Sequence, residues 1–472
     1  MKTFKLFSMV ALALVMAACS NEDNTIEQQP AQTRNTIPFS ATINAIGGGT
    51  RTIITEGGEG YEGYLMVAWR GGEKIALVHN GKKDEVTVTT VNADGSAVIS
   101  GDIDANGTDG EDVKLVYPAA AVKSVTSGTT YVANTDDEFL APGFAQDGTL
   151  EYIGANHLDG RQGNGKLKIS GGKATLESNV NMKSKTAIFN LTLTINGDTR
   201  IAAKTVTLKL GTTPIAAGQY ADGKSSYYLS VIPATLETLY AAAAQQSATP
   251  AFTIEAYDGT YYYTYTFTDE LNLSTGTYYQ SLMSMSPSGV ICTDRSIYPT
   301  VAAARAAQKI PVGKIVYVGN NTGHNTYKNG LALSLIDVGF ETSFGFAEQD
   351  CTDLNLSGDV DLNDIPKAKK AYKSFNDSYI TAVSSATWML PTQDQWDTMI
   401  TAAHGFANLR DGFKSVGGEN MTTSDPNTSD SYYWSSTEVP NSDTWWYSID
   451  SNSGEWEDDS AHDCWVRACL AF

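Results

Sequence analysis

Period-two alternation of apolar and polar residues runs through the middle of this chain. Phe189, Leu191, Leu193 and Ile195 alternate with Asn190, Thr192 and Thr194, and Val206, Leu208 and Leu210 repeat the pattern. Tyr261, Tyr263, Tyr265 and Phe267 do so again, as do Val86 and Val88 between Glu85, Thr87 and Thr89. Successive side chains of a strand point to opposite faces, so each run buries one face and wets the other, as antiparallel sandwiches require. Asp94-Gly95, Asn196-Gly197 and Asp258-Gly259 punctuate the runs as hairpin turns. The expected fold class is therefore mainly β from residue 37 to 287. That length exceeds one small sandwich. Gly-rich sequence near 165–180 predicts a division into 37–170 and 171–287, with one helix from Thr235 to Gln246.

The composition changes after Pro287. Seven of the eight tryptophans lie between Trp388 and Trp465, and four of the five cysteines between Cys292 and Cys469. Such a shift marks a third, α+β domain over 290–472. One helix is expected after Asp364, with Ile365, Ala368, Tyr372 and Phe375 along a stripe. A second is signalled by a capping box, Thr392 with Gln395, followed by Trp396, Met399, Ile400 and Ala403 at helical spacing. Acidic residues outnumber basic ones 53 to 32, a net charge of −21 that argues against nucleic acid as a partner.

The start of the chain reads as an address. Lys2 and Lys5 precede an apolar run from Leu6 to Ala18, a length suited to a secretory signal rather than a permanent span. Met16-Ala17-Ala18-Cys19 resembles a bacterial lipoprotein signal over residues 1–18, which implies acylation of Cys19 and a lipid anchor in the outer membrane during export. Ser20-Asn21-Glu22-Asp23 is similar to the surface-export tag of Bacteroidetes lipoproteins. Residues 19–36 are polar and aperiodic, as a flexible tether is.

Several short pieces of the β region occur in a telling order: Trp69-Arg-Gly-Gly-Glu-Lys-Ile-Ala-Leu-Val78, Tyr117-Pro118, Ala187-Ile-Phe-Asn-Leu-Thr-Leu193, Tyr228-Leu-Ser-Val-Ile-Pro233 and Gly276-Thr-Tyr-Tyr279. Together they resemble the fimbrillin family of Bacteroidales pilus subunits. The resemblance implies two tandem transthyretin-like antiparallel β-sandwiches and assembly with other fimbrillin subunits by strand exchange. It also implies cleavage by a trypsin-like protease after an arginine that follows the first strand, a position Arg51 fits. The residues themselves allow that mechanism. Ile37, Phe39, Ala41, Ile43 and Ala45 alternate with polar or small residues, and Pro38, which cannot donate to a ladder, places this strand at an edge. Removing it opens an apolar groove that another chain's strand fills by β-augmentation.

In the last domain, Trp388-Met-Leu-Pro-Thr-Gln-Asp-Gln-Trp396, Tyr433-Trp-Ser-Ser-Thr437, Trp445-Trp-Tyr-Ser-Ile449 and Cys464-Trp-Val-Arg-Ala468 follow in series. The series resembles the C-type lectin-like fold in its bacterial branch, which implies loops displaying a surface that binds a glycan or a protein of a host or bacterial surface. Residues 419–472 hold eleven acidic side chains against one basic, Arg467. Aromatic faces flanked by carboxylates suit carbohydrate stacking, so Trp445, Trp446 and above all Trp456 are the candidate ligand contacts, while Trp388, Trp396, Trp434 and Trp465 are assigned to the core. Asp353, Asn355, Ser357, Asp359, Asp361 and Asp364, with Gly358, have the oxygen spacing of a calcium loop. Cys292, Cys351, Cys464 and Cys469 are candidates for disulfides in an exported chain. Cys464 and Cys469 are poorly placed to join each other, so each is expected to pair with Cys292 or Cys351.

The five histidines, at 79, 157, 324, 404 and 462, form no metal spacing, and no nucleophile elbow or phosphate loop occurs, so no enzymatic role is read. The sequence thus points to a cell-surface pilus subunit ending in an adhesive domain, at the tip because the Cys464–Phe472 segment reads as folded. A glycan-binding outer-membrane lipoprotein that never polymerises is the other class these features fit.

Overall fold

The computed structural model describes residues 35–45, 55–56, 65–66, 68–122, 125, 145–197, 199–231, 250–267, 271, 273–337, 339–341, 388–423, 432–438, 446–459 and 464–472. The molecule is mainly β, built from several sheets. Among the described residues no helix is long and apolar enough to cross a membrane.

The first body is a sheet that closes on itself. Its strands run, in spatial order, Thr36–Ile43, Ala97–Asp104, Lys82–Val91, Lys74–His79, Asp112–Tyr117, Arg161–Ser170 and Lys173–Leu176, and the last pairs back onto the first. The inward residues form one core around Phe39, Ile43, Trp69, Ile75, Val86, Ile99, Leu115 and Leu167. A short helix, Leu150–Ala155, contributes Leu150 and Ile153 to it.

The expected division at 170/171 falls inside this body. Gly171 and Gly172, at φ of 57° and 72°, make the tight turn between the paired strands Arg161–Ser170 and Lys173–Leu176. Gly163 and Gly165 lie within the first of these because a Cβ there would meet Val180 at 2.4 and 2.8 Å. The glycine-rich stretch is a hairpin under close packing, not a linker. The next body begins at Ala187, after the short Lys183–Ser184 strand that still pairs with Arg161–Ser170.

In the second body, Ala187–Ile195 pairs antiparallel with Ser226–Val231 and parallel with Tyr278–Ser284. It packs on a six-stranded sheet in the order Ser286–Ser288, Tyr262–Thr266, Phe252–Tyr257, Ala203–Leu210, Thr213–Lys224 and Ala145–Gln146. The alternating apolar residues read from the sequence supply the core between them: Leu191, Leu193, Val206, Leu208, Ile254 and Tyr263. The expected helix at 235–246 lies outside the described residues.

Among its described residues the third body combines two sheets with three short α-helices, Val301–Ala306, Gln393–Ala402 and Phe406–Asp411. The six-stranded sheet is ordered Ile297–Tyr298, Val290–Cys292, Pro311–Val318, Gly330–Ser334, Cys469–Ala471 and Trp388–Met389. The five-stranded sheet is ordered Gly339–Glu341, Cys464–Val466, Tyr432–Glu438, Trp446–Asp450 and Trp456–Asp459. The capping box is present: Thr392 accepts from the Gln395 amide while Gln395 accepts from the Thr392 amide, and Gln393–Ala402 follows. Trp388, Trp396 and Trp434 are buried and Trp465 is half-buried. The expected helix after Asp364 lies outside the described residues.

Candidate assembly site

The leading strand Thr36–Ile43 is held very differently on its two sides. Toward Ala97–Asp104 it forms an antiparallel ladder in unbroken register, from Thr36 opposite Asp104 to Ile43 opposite Ala97. Ala105 N–H donates to the Asn35 carbonyl at 2.9 Å, and the alternation of an antiparallel ladder then points the amides of Ile37, Phe39, Ala41 and Ile43 at this neighbour. Pro38 therefore faces the other side, where its missing donor costs the ladder nothing. On that side the pairing is sparse. Phe39 meets Ala174 of Lys173–Leu176 in parallel, Ile43 bridges Val180, and Asn44 N–H donates to the Val180 carbonyl at 3.0 Å.

Side chains repeat the asymmetry. Phe39, Ala41 and Ile43 are buried in the core and Ile37 packs partly against it, while Thr36, Pro38 and Ser40 are exposed. Burying Phe39 and Ile43 contributes about 1.5–3 kcal/mol each. A clasp closes the far end. The Trp69 indole donates to the Asn44 carbonyl at 3.1 Å, and the Asn44 side-chain amide donates to Asn181 at 2.5 Å. Trp69, 1% exposed, packs edge-on to Tyr117 with centroids 5.5 Å apart. The arrangement is a strand whose removal would bare three core sockets and one row of backbone partners along Ala97–Asp104. Arg51 and Cys19 lie outside the described residues.

Only part of the candidate ligand surface of the third body lies among the described residues. Trp445 and residues 353–364 lie outside the described residues; Trp446 is described by its backbone, paired with Glu438 and Asp459. Trp456, expected exposed, is half-buried against the helical layer, and its indole donates to Asp397 of Gln393–Ala402 at 3.2 Å.

The disulfide expectation is corrected for two of its four members. Cys292 and Cys469 are buried free thiols. Their strands sit in one sheet with Pro311–Val318 and Gly330–Ser334 between them, three spacings of about 4.8 Å, well beyond disulfide reach. Burial pushes the Cys292 thiol up to about 11 and the Cys469 thiol to about 12, so both stay protonated and inert. Cys464 is buried on a strand of the other sheet, and Cys351 lies outside the described residues.

Sequence reasoning passed over a buried charge centre behind the third body's sheets. Arg467, fully buried, donates to Asp337 at 2.9 Å and to the Glu419 carbonyl at 2.7 Å, and its guanidinium lies 4.0 Å over the Phe413 ring. Tyr433 and Thr422 also donate to Asp337, at 3.0 and 2.7 Å. Lys314 reaches the same ring, its amine 5.2 Å from the centroid. The signal was there: a lone basic residue between Val466 and Ala468, in an acidic segment, must be buried with a carboxylate.

No protein-family model matches the chain, and no curated protein does. Among solved structures it is similar to a fimbrial protein from Bacteroides ovatus, at 13% identity and a TM-score of 0.25, covering 93% of this chain and 100% of that one. A fimbrial assembly protein from Parabacteroides distasonis aligns at 11% identity and a TM-score of 0.27, over 54% of this chain and 94% of that one. The TIE protein of Bacillus anthracis aligns at 12% identity and a TM-score of 0.15, over 53% of this chain and 34% of that one.

Proposed function

We propose that this chain is an exported, non-enzymatic surface subunit of fimbrillin type. In this reading Cys19 carries the lipid during export, and two transthyretin-like sandwiches form the body. A lectin-like C-terminal domain meets a surface glycan or protein. Cleavage after Arg51 releases the leading strand, and a strand from another subunit takes its place.

The observation that supports this most is the lopsided hold on Thr36–Ile43, a full ladder on one side and a sparse parallel seam on the other. A strand so held leaves a groove with ready backbone partners, and its alternate inward residues give a replacement strand its register. By contrast, Cys469–Ala471 is paired on both sides, between Gly330–Ser334 and Trp388–Met389, and is not free to be donated. That arrangement suits a tip position, accepting a strand without giving this one.

The test is to treat the folded chain with a trypsin-like protease and resolve it unheated on a denaturing gel. Cleavage after Arg51 followed by oligomers that survive the detergent is the expected result. A chain that is cut there, keeps its leading strand and stays monomeric contradicts it, and favours the non-polymerising glycan-binding lipoprotein. The closure of the first sheet through Lys173–Leu176 is the observation on that rival's side.

A further inference from the structure

Between Arg161 and Lys185 six basic side chains stand against one acidic one, Glu177, in a chain whose net charge is −21. Strand register decides where they point. On Arg161–Ser170, Leu167 and Ile169 turn toward the core of the first body, so Lys166 and Lys168 lie on the outer face. Residues directly opposite one another across a ladder share a face. Lys173 is opposite Ser170 and Lys183 is opposite Gln162, which puts both on that outer face, and Lys114 joins them opposite Asn164. Lys166, Lys168, Lys173 and Lys183 are all exposed. Lys166 meets Asp112 at 3.1 Å, while the other three have no ion pair among the described residues. Burial and the nearby charge of Lys185 both lower the Lys114 amine, so six amines are gathered on or beside one sheet face.

Charges of both signs would solvate such a face without crowding like charges together. A face of one sign projects a field instead. The third body carries the opposite sign. Its residues 419–472 hold eleven acidic side chains against Arg467, which is buried. Asp394 and Asp397 stand exposed, three residues apart on Gln393–Ala402 and so on one side of it. The Trp456 indole that donates to Asp397 at 3.2 Å brings the exposed Glu455 to the same corner. Glu457, Asp458 and Asp459 follow along Trp456–Asp459, the last strand of its sheet.

We propose that the lysine face of the first body is a docking surface for the acidic corner of the third body of a second copy of this chain. Charge complementarity selects this occupant. Two copies of so acidic a chain repel over most of their surfaces, and the lysine face is where one copy meets the acidic end of another with opposite signs in register. The two patches differ, so the contact is heterologous: each copy offers its lysines to one neighbour and its carboxylates to the next. A single exposed ion pair contributes little, and only several together hold the copies. Salt shortens the reach of such pairs from about 10 Å at 0.1 M to about 3 Å at 1 M, so the contact forms at low salt and dissolves at high salt. It needs no cut at Arg51 and stands or falls apart from the function proposed above.

The experiment is sedimentation velocity on the uncut chain from residue 20 onward, at about 50 mM and about 500 mM salt, with thermal melting as a check on folding. Wild type is compared with Lys168→Glu/Lys173→Glu on the face and with Asp394→Lys/Glu455→Lys at the corner. A control, Lys204→Glu/Lys328→Glu, makes the same change in net charge at exposed lysines elsewhere. The expected result is concentration-dependent association of wild type at low salt that disappears at high salt. Both the face and the corner variants should weaken it about tenfold or more, and the control should not. The corner variant is the sharper of the two, because it lowers the net negative charge and would strengthen association if overall repulsion governed it. Monomers at both salts, or a control as weakened as the face variant, overturn the proposal. So does binding to phosphatidylglycerol vesicles through these lysines without self-association, which makes the occupant an anionic surface. Should the face variant fail to fold, the corner variant decides alone: undiminished association in it counts against the contact.

Discussion

Lys314 and Arg467 approach one phenyl ring, that of Phe413, and Arg467 is paired with the carboxylate of Asp337. Burial, reinforced by the Arg467 charge, lowers the Lys314 amine from 10.5 to about 8. Below that pH the folded protein holds a buried ammonium that the unfolded chain hydrates freely. Between about 8 and 10.5 the folded state has shed a proton the unfolded state still binds, so this group's destabilising effect fades as pH rises. A lowering of that size corresponds to roughly 3 kcal/mol. Lys314→Met should therefore raise stability at pH 7 by about that amount, and the gain should vanish as pH approaches 10.5. Urea unfolding of both proteins across that range checks it; a gain that does not change with pH refutes the electrostatic cause. Asp337→Asn acts in the other direction, leaving the buried Arg467 without its carboxylate at a cost of about 3–5 kcal/mol. Its melting temperature should fall much further than that of an exposed control such as Glu151→Gln.

The elements that sequence alone reveals best are those whose pattern is local. Ile37 to Ile43 alternate and form a strand; Thr392 and Gln395 read as a capping box and start a helix at Gln393. Thr392→Ala should cost about 1 kcal/mol of stability, measurable by thermal melting. Where the controlling contact is distant, the pattern misleads. Gly163 and Gly165 are small because Val180 lies over them, a fact written only in the folded chain, so a hairpin looked like a boundary. Cys292 and Cys469 lie in one sheet, but the strands between them belong to other parts of the sequence. Trp456 sits in an acidic, surface-like segment, and its half-buried state with an indole bond to Asp397 depends on a residue 59 positions earlier. For the leading strand, alternation and Pro38 were legible; the sparse seam to Lys173–Leu176 was not, because it depends on where a strand more than a hundred residues later docks. Phe39→Ala should cost about 3–5 kcal/mol in the uncut chain and speed cleavage after Arg51 by loosening that seam. An unchanged cleavage rate in a destabilised variant argues that the loop, not the strand, governs access.

At the scale of the molecule, three β-rich bodies are built along the chain, and the first is a sheet closed on itself. The leading strand belongs to a closed first sheet, so the exchange proposed above requires that it first be cut free. In the third body the Cys469–Ala471 strand is paired on both sides, and the buried Arg467, which pairs with Asp337, lies close by in the chain. In the proposed function the first sheet must lose its leading strand before another subunit's strand can enter. N-terminal sequencing of the protein recovered from the cell surface tests it most directly. A chain beginning at Thr52 is the result expected, and one that begins at Cys19 with residues 36–43 still attached would contradict it.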